Sequence, residues 1–347
     1  MLSFLKRWFS RRGRREEIEG QQPLPGLDPH ARAAAMMPRM RRADVHRLMI
    51  EATALRRREG YHQAVLFLRQ LAEEYLREGN TALITTLNKL VPYLKKDSET
   101  SYTEAKEWME GILSRLPQRD PYFLNAHITM AELLQHEGTE QSVAYLQHFL
   151  RDHPPSVDTY YHLIRLADFH RELSELDTAA ARMDEALDLW DTSLDRYRLI
   201  RMQRRWHRSM ALLALAGEED HDYLFHRFME FALDMARILD PARISDFHHR
   251  KDQYYKGERG FAGTHPYESV MELPVWKDKK EKILKDIYGF VFEEMPLLLG
   301  VTEKELHYRP GDPESLEEVR HKKLFATLPF TQHDLLARRI RQVITPS

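Results

Sequence analysis

Hydrophobic residues recur along most of this chain with the spacing of amphipathic helices. Apolar positions three or four residues apart form stripes, which glycine, proline or charged turns interrupt. Such spacing is typical of helices that bury one face. The clearest stripes are Val45, Leu48, Met49, Ala52 and Leu55; Leu83, Leu87, Leu90 and Val91; Ile128, Ala131 and Leu134; and Leu163, Leu166 and Ala167. No alternation of apolar and polar residues is long enough to predict a sheet, so the pattern predicts an all-α fold.

A second pattern occurs five times, each time after a stripe of the first kind. A small or apolar residue is followed by apolar residues four and seven positions on, and in the last four copies Pro or Asp follows twelve positions on. The copies begin at Ala64, Ala105, Ser142, Ala179 and Met229. Each copy predicts the second helix of a hairpin. Because a lone hairpin cannot bury its own apolar face, repeated hairpins predict a stacked α-solenoid.

Several turn and helix-end residues resemble the tetratricopeptide repeat (TPR) family over roughly residues 42 to 241. The likeness is carried by Gly60-Tyr61 with Ala64, by Tyr102 with Ala105 and Pro117, and by Ala236 with Leu239-Asp240-Pro241. The resemblance implies a TPR-like α-solenoid of about five helical hairpins that binds other proteins. The repeated positions lie further apart than the family's usual step of about 34 residues, which predicts longer loops.

Changes in composition divide the chain into four parts. Residues 1–19 form a basic and aromatic segment, residues 20–41 a Pro/Gly linker, residues 42–241 the repeat domain, and residues 242–347 a helical cap with a structured loop. An open array needs a cap because its last repeat exposes an apolar face. In the cap we expect a helix from Lys277 to Leu299. A final helix, N-capped by Thr331, is expected to bury Leu335, Leu336, Ile340, Val343 and Ile344.

Composition excludes several classes of function. The chain has 347 residues and a net charge of −2, so no global charge favours nucleic acid, and we expect no nucleic-acid partner. It contains no cysteine, which excludes disulfides, thiol catalysis and cysteine-ligated metal sites. No apolar run approaches the roughly 18 residues that span a bilayer.

The first nineteen residues combine apolar side chains with arginines. One interpretation is an interfacial anchor, with aromatic rings among lipid headgroups and arginines on anionic lipid. The candidate membrane contacts are Leu2, Phe4, Leu5, Trp8, Phe9, Arg11 and Arg12. A disordered basic tail and a helix that docks on a partner remain alternatives. We expect a cytoplasmic protein, with peripheral attachment to the inner face of a membrane under the first interpretation.

Arginines line one face of the long helix predicted between residues 193 and 216. Arg198, Arg201, Arg205 and Arg208 lie at offsets of 0, 3, 7 and 10, and Arg204 borders this face. Like charges at this spacing repel one another. Either acidic side chains of this chain neutralise the stripe, or a carboxylate or phosphate of a partner does.

The TPR resemblance supplies a second set of candidate residues. In that family the first helix of each hairpin lines a concave groove that contacts ligands. Carried onto this chain, the groove face holds polar residues suited to a peptide partner. They are His46, Thr53, Arg56, Arg57, Asn125, Glu132, Gln135, His136, Tyr161, Asp168 and Arg171. The alternative is a solvated helix face without a partner.

The function that these features favour is a noncatalytic protein–protein interaction scaffold or adaptor. Its expected partner is a protein or peptide with an acidic segment, self-association is an alternative, and we expect no cofactor and no metal. The competing hypothesis is a helical enzyme or RNA-binding protein, HEPN-like or metal-dependent, with a site near Asp246, His248, His249 and His265. The pairs Arg165/His170 and Arg243/His248 resemble the motif of HEPN ribonucleases, although Leu166 and Ile244 replace the polar residue that usually follows the arginine.

Overall fold

Every regular element in the described part of the chain is helical. The computed structural model describes residues 42–97, 102–191, 193–239, 244–255, 276, 278–301 and 330–345, and these residues contain no β-strand. The all-α prediction is therefore confirmed for them. The first ten helices are α1 (Arg42–Glu59), α2 (Tyr61–Arg77), α3 (Ala82–Leu94), α4 (Tyr102–Leu113), α5 (Phe123–Leu134), α6 (Thr139–Asp152), α7 (Tyr160–Glu172), α8 (Leu176–Leu187), α9 (Arg196–Ala216) and α10 (Asp220–Ile238).

These ten helices pack in the order in which they follow along the chain. Each contacts the next, and the hairpins that the sequence predicts correspond to the pairs α1/α2, α3/α4, α5/α6, α7/α8 and α9/α10. The odd-numbered helices α1, α3, α5, α7 and α9 also contact one another in sequence, and so form a continuous row. This row places side chains of helices from different pairs next to each other.

The repeated pattern marks the buried face of the second helix in each pair. All fifteen positions of the pattern are buried, and eleven of the fifteen residues are at most 1% exposed. They are Ala64, Leu68, Leu71, Ala105, Met109, Ile112, Ser142, Leu146, Phe149, Ala179, Met183, Ala186, Met229, Leu233 and Ala236. Ser142 satisfies its hydroxyl by donating to the carbonyl oxygen of Ala131 across the α5/α6 pair, 2.7 Å away. Small residues at these positions let neighbouring helices approach closely.

Two tight turns depend on glycine. Gly60 separates α1 from α2 with φ of 91°, and Gly138 precedes α6 with φ of 148°. A Cβ atom disfavours positive φ, so glycine adopts the backbone conformation of these turns with the least strain. Two of the connections between successive pairs are longer than these turns: residues 114–122 link α4 to α5, and residues 153–159 link α6 to α7.

The C-terminal helices share a hydrophobic core with the last pair. They are α11 (Ile244–Tyr255), α12 (Lys280–Gly289), a π-helical turn (Phe290–Glu294), α13 (Met295–Leu298) and α14 (His333–Ile344). Helix α14 packs on both α10 and α12. Buried Phe228 of α10, Phe292 of the π turn and Ile340 of α14 belong to this one cluster.

Three details of the C-terminal prediction need correction. The helix expected from Lys277 begins at Lys280 and widens into the π turn at Phe290–Glu294. The final helix begins at His333, so its N-cap is Gln332 and not Thr331, and no side chain caps it. Leu336, Ile340 and Ile344 are buried as expected. Leu335 and Val343 are only partly buried because they flank that stripe of the helix instead of lying on it.

Several sequence predictions concern residues outside the described ranges. These are the N-terminal segment with its candidate membrane contacts, the Pro/Gly linker up to residue 41, and the part of the structured loop of the cap that lies between residues 256 and 275. Among the helices that are described, none is both long enough and apolar enough to cross a membrane.

Candidate functional site

The predicted arginine stripe lies on α9, the last helix of the continuous row, and faces α7 and α10. Asp195 caps the N-terminus of α9, where its carboxylate accepts from the backbone N–H of Arg198 at 2.9 Å. The helix buries Leu199, Met202 and Trp206 on another side. The arginines do not behave as one surface, because some have acidic partners within the chain.

Asp168 on α7 is the centre of the strongest of these interactions. Its carboxylate accepts from the guanidinium of Arg205 at 2.7 Å, and Arg165 lies 3.6 Å away. Arg165 also pairs with Glu132 of α5 at 3.1 Å. Asp168 is only 4% exposed, so this candidate groove residue is not available at the surface. The ion pairs join α5, α7 and α9 across three successive helix pairs.

Two more arginines of the stripe have acidic partners. Arg204 lies 3.4 Å from Asp234 and 3.9 Å from Glu230, both on α10, and Arg250 of α11 donates to Asp234 at 2.5 Å. Arg198 donates to Asp158, in the loop before α7, at 2.5 Å. Internal neutralisation, one of the two sequence-based interpretations, therefore holds for Arg198, Arg204 and Arg205.

Arg201 and Arg208 differ from the other members of the stripe. Both are exposed, and neither has an acidic partner among the residues that the structure describes. The Nε of Arg201 donates only to the backbone oxygen of Tyr197, one turn earlier, at 3.2 Å. Tyr161 of α7 lies close to this arginine and is 38% exposed. Partial burial raises the pKa of Tyr161, and the charges of Arg201 and its neighbours on α9 oppose that rise.

Of the groove residues predicted on α1, two are exposed and two form hydrogen bonds within the chain. His46 and Arg57 are exposed on α1. The hydroxyl of Thr53 donates to the carbonyl of Met49 within its own helix, at 3.0 Å. Arg56 donates to the hydroxyl of Tyr61 at 3.3 Å and lies over that ring.

The groove residues of α5 and α7 form a ladder of polar contacts. Gln135 accepts from Lys95 of α3 at 2.5 Å and donates to Glu172 of α7. His136 stacks on Tyr102 with ring centroids 4.2 Å apart, and Arg171 lies 3.6 Å from Glu172. Asn125 is exposed. Side chains from three pairs thus satisfy one another over much of the predicted groove.

The residues of the competing enzymatic hypothesis are not assembled by the described structure. Asp246 and His249 are exposed on α11, whereas His265 and Arg243 lie outside the described residues. Arg165 pairs with Glu132, and His170 lies 2.6 Å from Glu175, so each faces its own carboxylate. Within the described ranges, no group of three or more His, Asp or Glu side chains is arranged to hold a metal ion.

A row of three histidines, two of them buried and one partly buried, is the feature that the sequence analysis missed. The Nδ1 atoms of His207 on α9 and His226 on α10 lie 2.8 Å apart, and the Nε2 atoms of His207 and His333 on α14 lie 2.9 Å apart. His207 and His226 each follow aromatic residues on the inward face of their helices, and this local signal was available. Their proximity to His333, 126 residues away from His207, was not.

No protein-family model matches this chain, and neither a curated protein nor a solved structure matches it. The function must therefore be argued from the residues and contacts described above.

Proposed function

We propose that this protein is a noncatalytic interaction scaffold, built as a TPR-like solenoid, that binds an acidic segment of another protein. The observation that carries the proposal is the exposed surface of Tyr161, Arg201 and Arg208 where α7 meets α9. We call this the Tyr161–Arg208 surface. A solenoid of hairpins offers an extended face for partners, and the continuous row of odd-numbered helices supports this architecture.

Charge supports an acidic partner. Most arginines near this surface have carboxylate partners, whereas Arg201 and Arg208 have none in the described part of the chain. Seven residues separate them, so they lie about 10 Å apart along the same face of α9. Guanidinium groups at this spacing could each hold a carboxylate of an extended peptide, with two donated hydrogen bonds per carboxylate.

Tyr161 adds an anchor to the two charges. Tyrosine and arginine dominate the energetically important positions of protein interfaces, because they combine a large contact area with hydrogen bonding. The ion pair between Arg205 and Asp168 holds α7 and α9 together beneath this surface. The surface therefore needs little ordering when a partner binds, which limits the entropic cost of association.

The test uses a fluorescein-labelled peptide of ten glutamates and the variant Arg201→Glu/Arg208→Glu. The matched control is Arg115→Glu/Arg119→Glu, which changes the charge equally at two exposed arginines in the loop between α4 and α5. Arg205 is kept unchanged, because a glutamate there would face buried Asp168 and destabilise the fold. Fluorescence anisotropy gives the affinity, and circular dichroism monitors folding.

We expect the unmodified protein and the control to bind the peptide equally, and the Arg201/Arg208 variant to bind at least about tenfold more weakly. Capture of partners from a native lysate, by the same three proteins, should follow the same order. Equal binding by both double variants would place the acidic partner elsewhere, and no binding by any of the proteins would contradict the proposal.

A further inference from the structure

The row of three histidines borders a cavity between α9, α10 and α14. The cavity has a volume of about 700 Å³, within the range of roughly 300–1,000 Å³ that is usual for small-molecule sites. Its walls are mainly aromatic, and its rim is polar. The aromatic side chains are Trp190, Trp206, Phe225 and Phe330.

Asp334 sets the direction of the hydrogen bonds along the row. Its carboxylate can only accept, so Nδ1 of His333, 3.2 Å away, carries a proton. The Nε2 of neutral His333 then accepts from His207, and the Nδ1 of His207 accepts from His226. Each imidazole is thus neutral and donates to the next, which gives a continuous proton path from buried His226 to exposed Asp334.

Cations dominate the mouth of this cavity. Arg338 and Arg341 of α14 line it, both are exposed, and neither has an acidic partner in the described ranges. Arg341 lies over the ring of Phe225, with its guanidinium carbon 4.6 Å from the ring centroid. Arg196 is buried, with its guanidinium carbon 5.3 Å from the centroid of the Phe330 ring. Asp334 is the one acidic residue among those lining the cavity.

From this geometry we infer that the cavity binds an aromatic carboxylate, whose ring packs against the aromatic wall and whose carboxylate meets Arg338 and Arg341. Flat rings stack favourably on indole and phenyl faces. Arginine donates to both oxygens of a carboxylate. The negative charge of the bound carboxylate would also lie near the neutral imidazoles of the row.

Proton uptake accompanies binding in this arrangement. Burial, together with the charges of Arg341 and of the neighbouring histidines, lowers the pKa of His207 and His226, and burial lowers that of His333 although Asp334 opposes the effect. A bound anion compensates the cationic surroundings and raises the pKa of His333, which is the only partly buried histidine of the row and the one beside Asp334. Affinity therefore increases as pH falls, by up to about tenfold per pH unit for each proton taken up.

The first experiment uses 2-naphthoate as the probe and uncharged 2-naphthamide, of the same shape, as its control. Equilibrium dialysis measures binding to the full chain, and quenching of tryptophan fluorescence reports contact with the cavity. We expect naphthoate to bind at least about tenfold more tightly than naphthamide. Equal affinities for naphthoate and naphthamide, or no binding of naphthoate to the unmodified protein, would overturn the inference.

Two variants then locate the site. Arg338→Gln/Arg341→Gln should weaken naphthoate binding about tenfold and leave naphthamide unchanged, whereas Arg115→Gln/Arg119→Gln should affect neither. Between pH 7.5 and pH 6, where naphthoate stays ionised, the affinity of the unmodified protein should rise, and His333→Gln should flatten this dependence because it interrupts the row. Naphthoate affinity that survives the double substitution at α14, or that ignores pH in the unmodified protein, would contradict the assignment.

The binding of naphthoate in the cavity does not depend on whether the Tyr161–Arg208 surface binds an acidic peptide. The cavity shares no lining residue with the Tyr161–Arg208 surface. A competition measurement adds a check: excess ten-glutamate peptide should leave naphthoate binding unchanged, and displacement would show that the rim arginines bind acidic peptides instead.

Discussion

Asp168 and Arg205, 37 residues apart in the chain, form a largely buried ion pair in which the guanidinium donates to the carboxylate at 2.7 Å. The pair joins α7 to α9 and turns one member of an arginine stripe into a structural residue. Its neighbour Arg201, one turn earlier on the same helix, stays exposed. Two arginines with the same local sequence pattern thus have different roles.

Removal of Arg205 should therefore destabilise the protein. Arg205→Ala leaves the buried carboxylate of Asp168 with only Arg165, 3.6 Å away. Loss of a partner to a buried charged group costs about 1–3 kcal/mol. We expect Arg201→Ala, the matched control, to change the free energy of unfolding by less than about 0.5 kcal/mol. Urea unfolding followed by circular dichroism measures both, and equal effects would contradict the structural role of Arg205.

Tyr160 and Tyr161 are adjacent but should respond differently to loss of their hydroxyl groups. Tyr160 is fully buried, donates to the carbonyl of Met202 at 2.7 Å and accepts from the indole N–H of Trp190 at 3.4 Å. Tyr160→Phe removes both hydrogen bonds and leaves the indole N–H of Trp190 without its acceptor, at a cost of about 1–3 kcal/mol. Tyr161→Phe should be within about 0.5 kcal/mol of the unmodified protein. Thermal unfolding measures the stability of both variants. Equal stabilities, or a less stable Tyr161→Phe, would contradict the prediction.

Two glycines should respond to alanine with opposite signs. Gly60 has φ of 91° and ψ of −179°, a conformation that side chains disfavour, so Gly60→Ala should cost about 1–3 kcal/mol. Gly111 lies inside α4 with open space around the position of a Cβ atom. Gly111→Ala should therefore stabilise the protein by about 0.5–1 kcal/mol. The midpoint of denaturant unfolding, compared with that of the unmodified protein, measures both effects. A loss of stability in Gly111→Ala would contradict the helical assignment of that position.

Acid should destabilise the fold through its buried histidines. Burial lowers the pKa of His127 and of His162 to about 4 and that of His226 to about 3, so these groups are neutral when folded and bind protons more readily when unfolded. Stability is then full above the unfolded pKa of about 6.5 and falls as pH decreases toward 4. Each histidine contributes about 1–2 kcal/mol to the loss by pH 5.

His162 offers a direct test of this dependence. Its Nε2 lies 3.0 Å from the carbonyl oxygen of Leu124, and the Nδ1 has no partner in the described structure. His162→Gln can keep the donated bond without a titrating group. We expect the variant to lose less stability than the unmodified protein between pH 7 and pH 5. Parallel stability curves for the two proteins would assign the pH dependence to other groups.

Local spacing was sufficient to predict most of the first ten helices and the buried positions of the repeated pattern. Each helix turn brings residues three and four apart to one side, so the positions after Ala64, Ala105 and Ala179 could be identified from a short window. The same reasoning placed the N-cap of α14 one residue too early, at Thr331 instead of Gln332. The position of an N-cap depends on how the preceding chain packs against neighbouring helices. The face of the arginine stripe was also predictable from spacing.

Tertiary structure decided which of those faces are free. Whether an arginine meets a carboxylate depends on contacts such as Arg205 with Asp168 or Arg204 with Asp234, which join separate helices. The row of His207, His226 and His333 likewise exists only because α14 returns to the last helix pair. Periodicity describes one helix at a time, whereas charge neutralisation and cavities arise between helices, where only the packed fold determines distance.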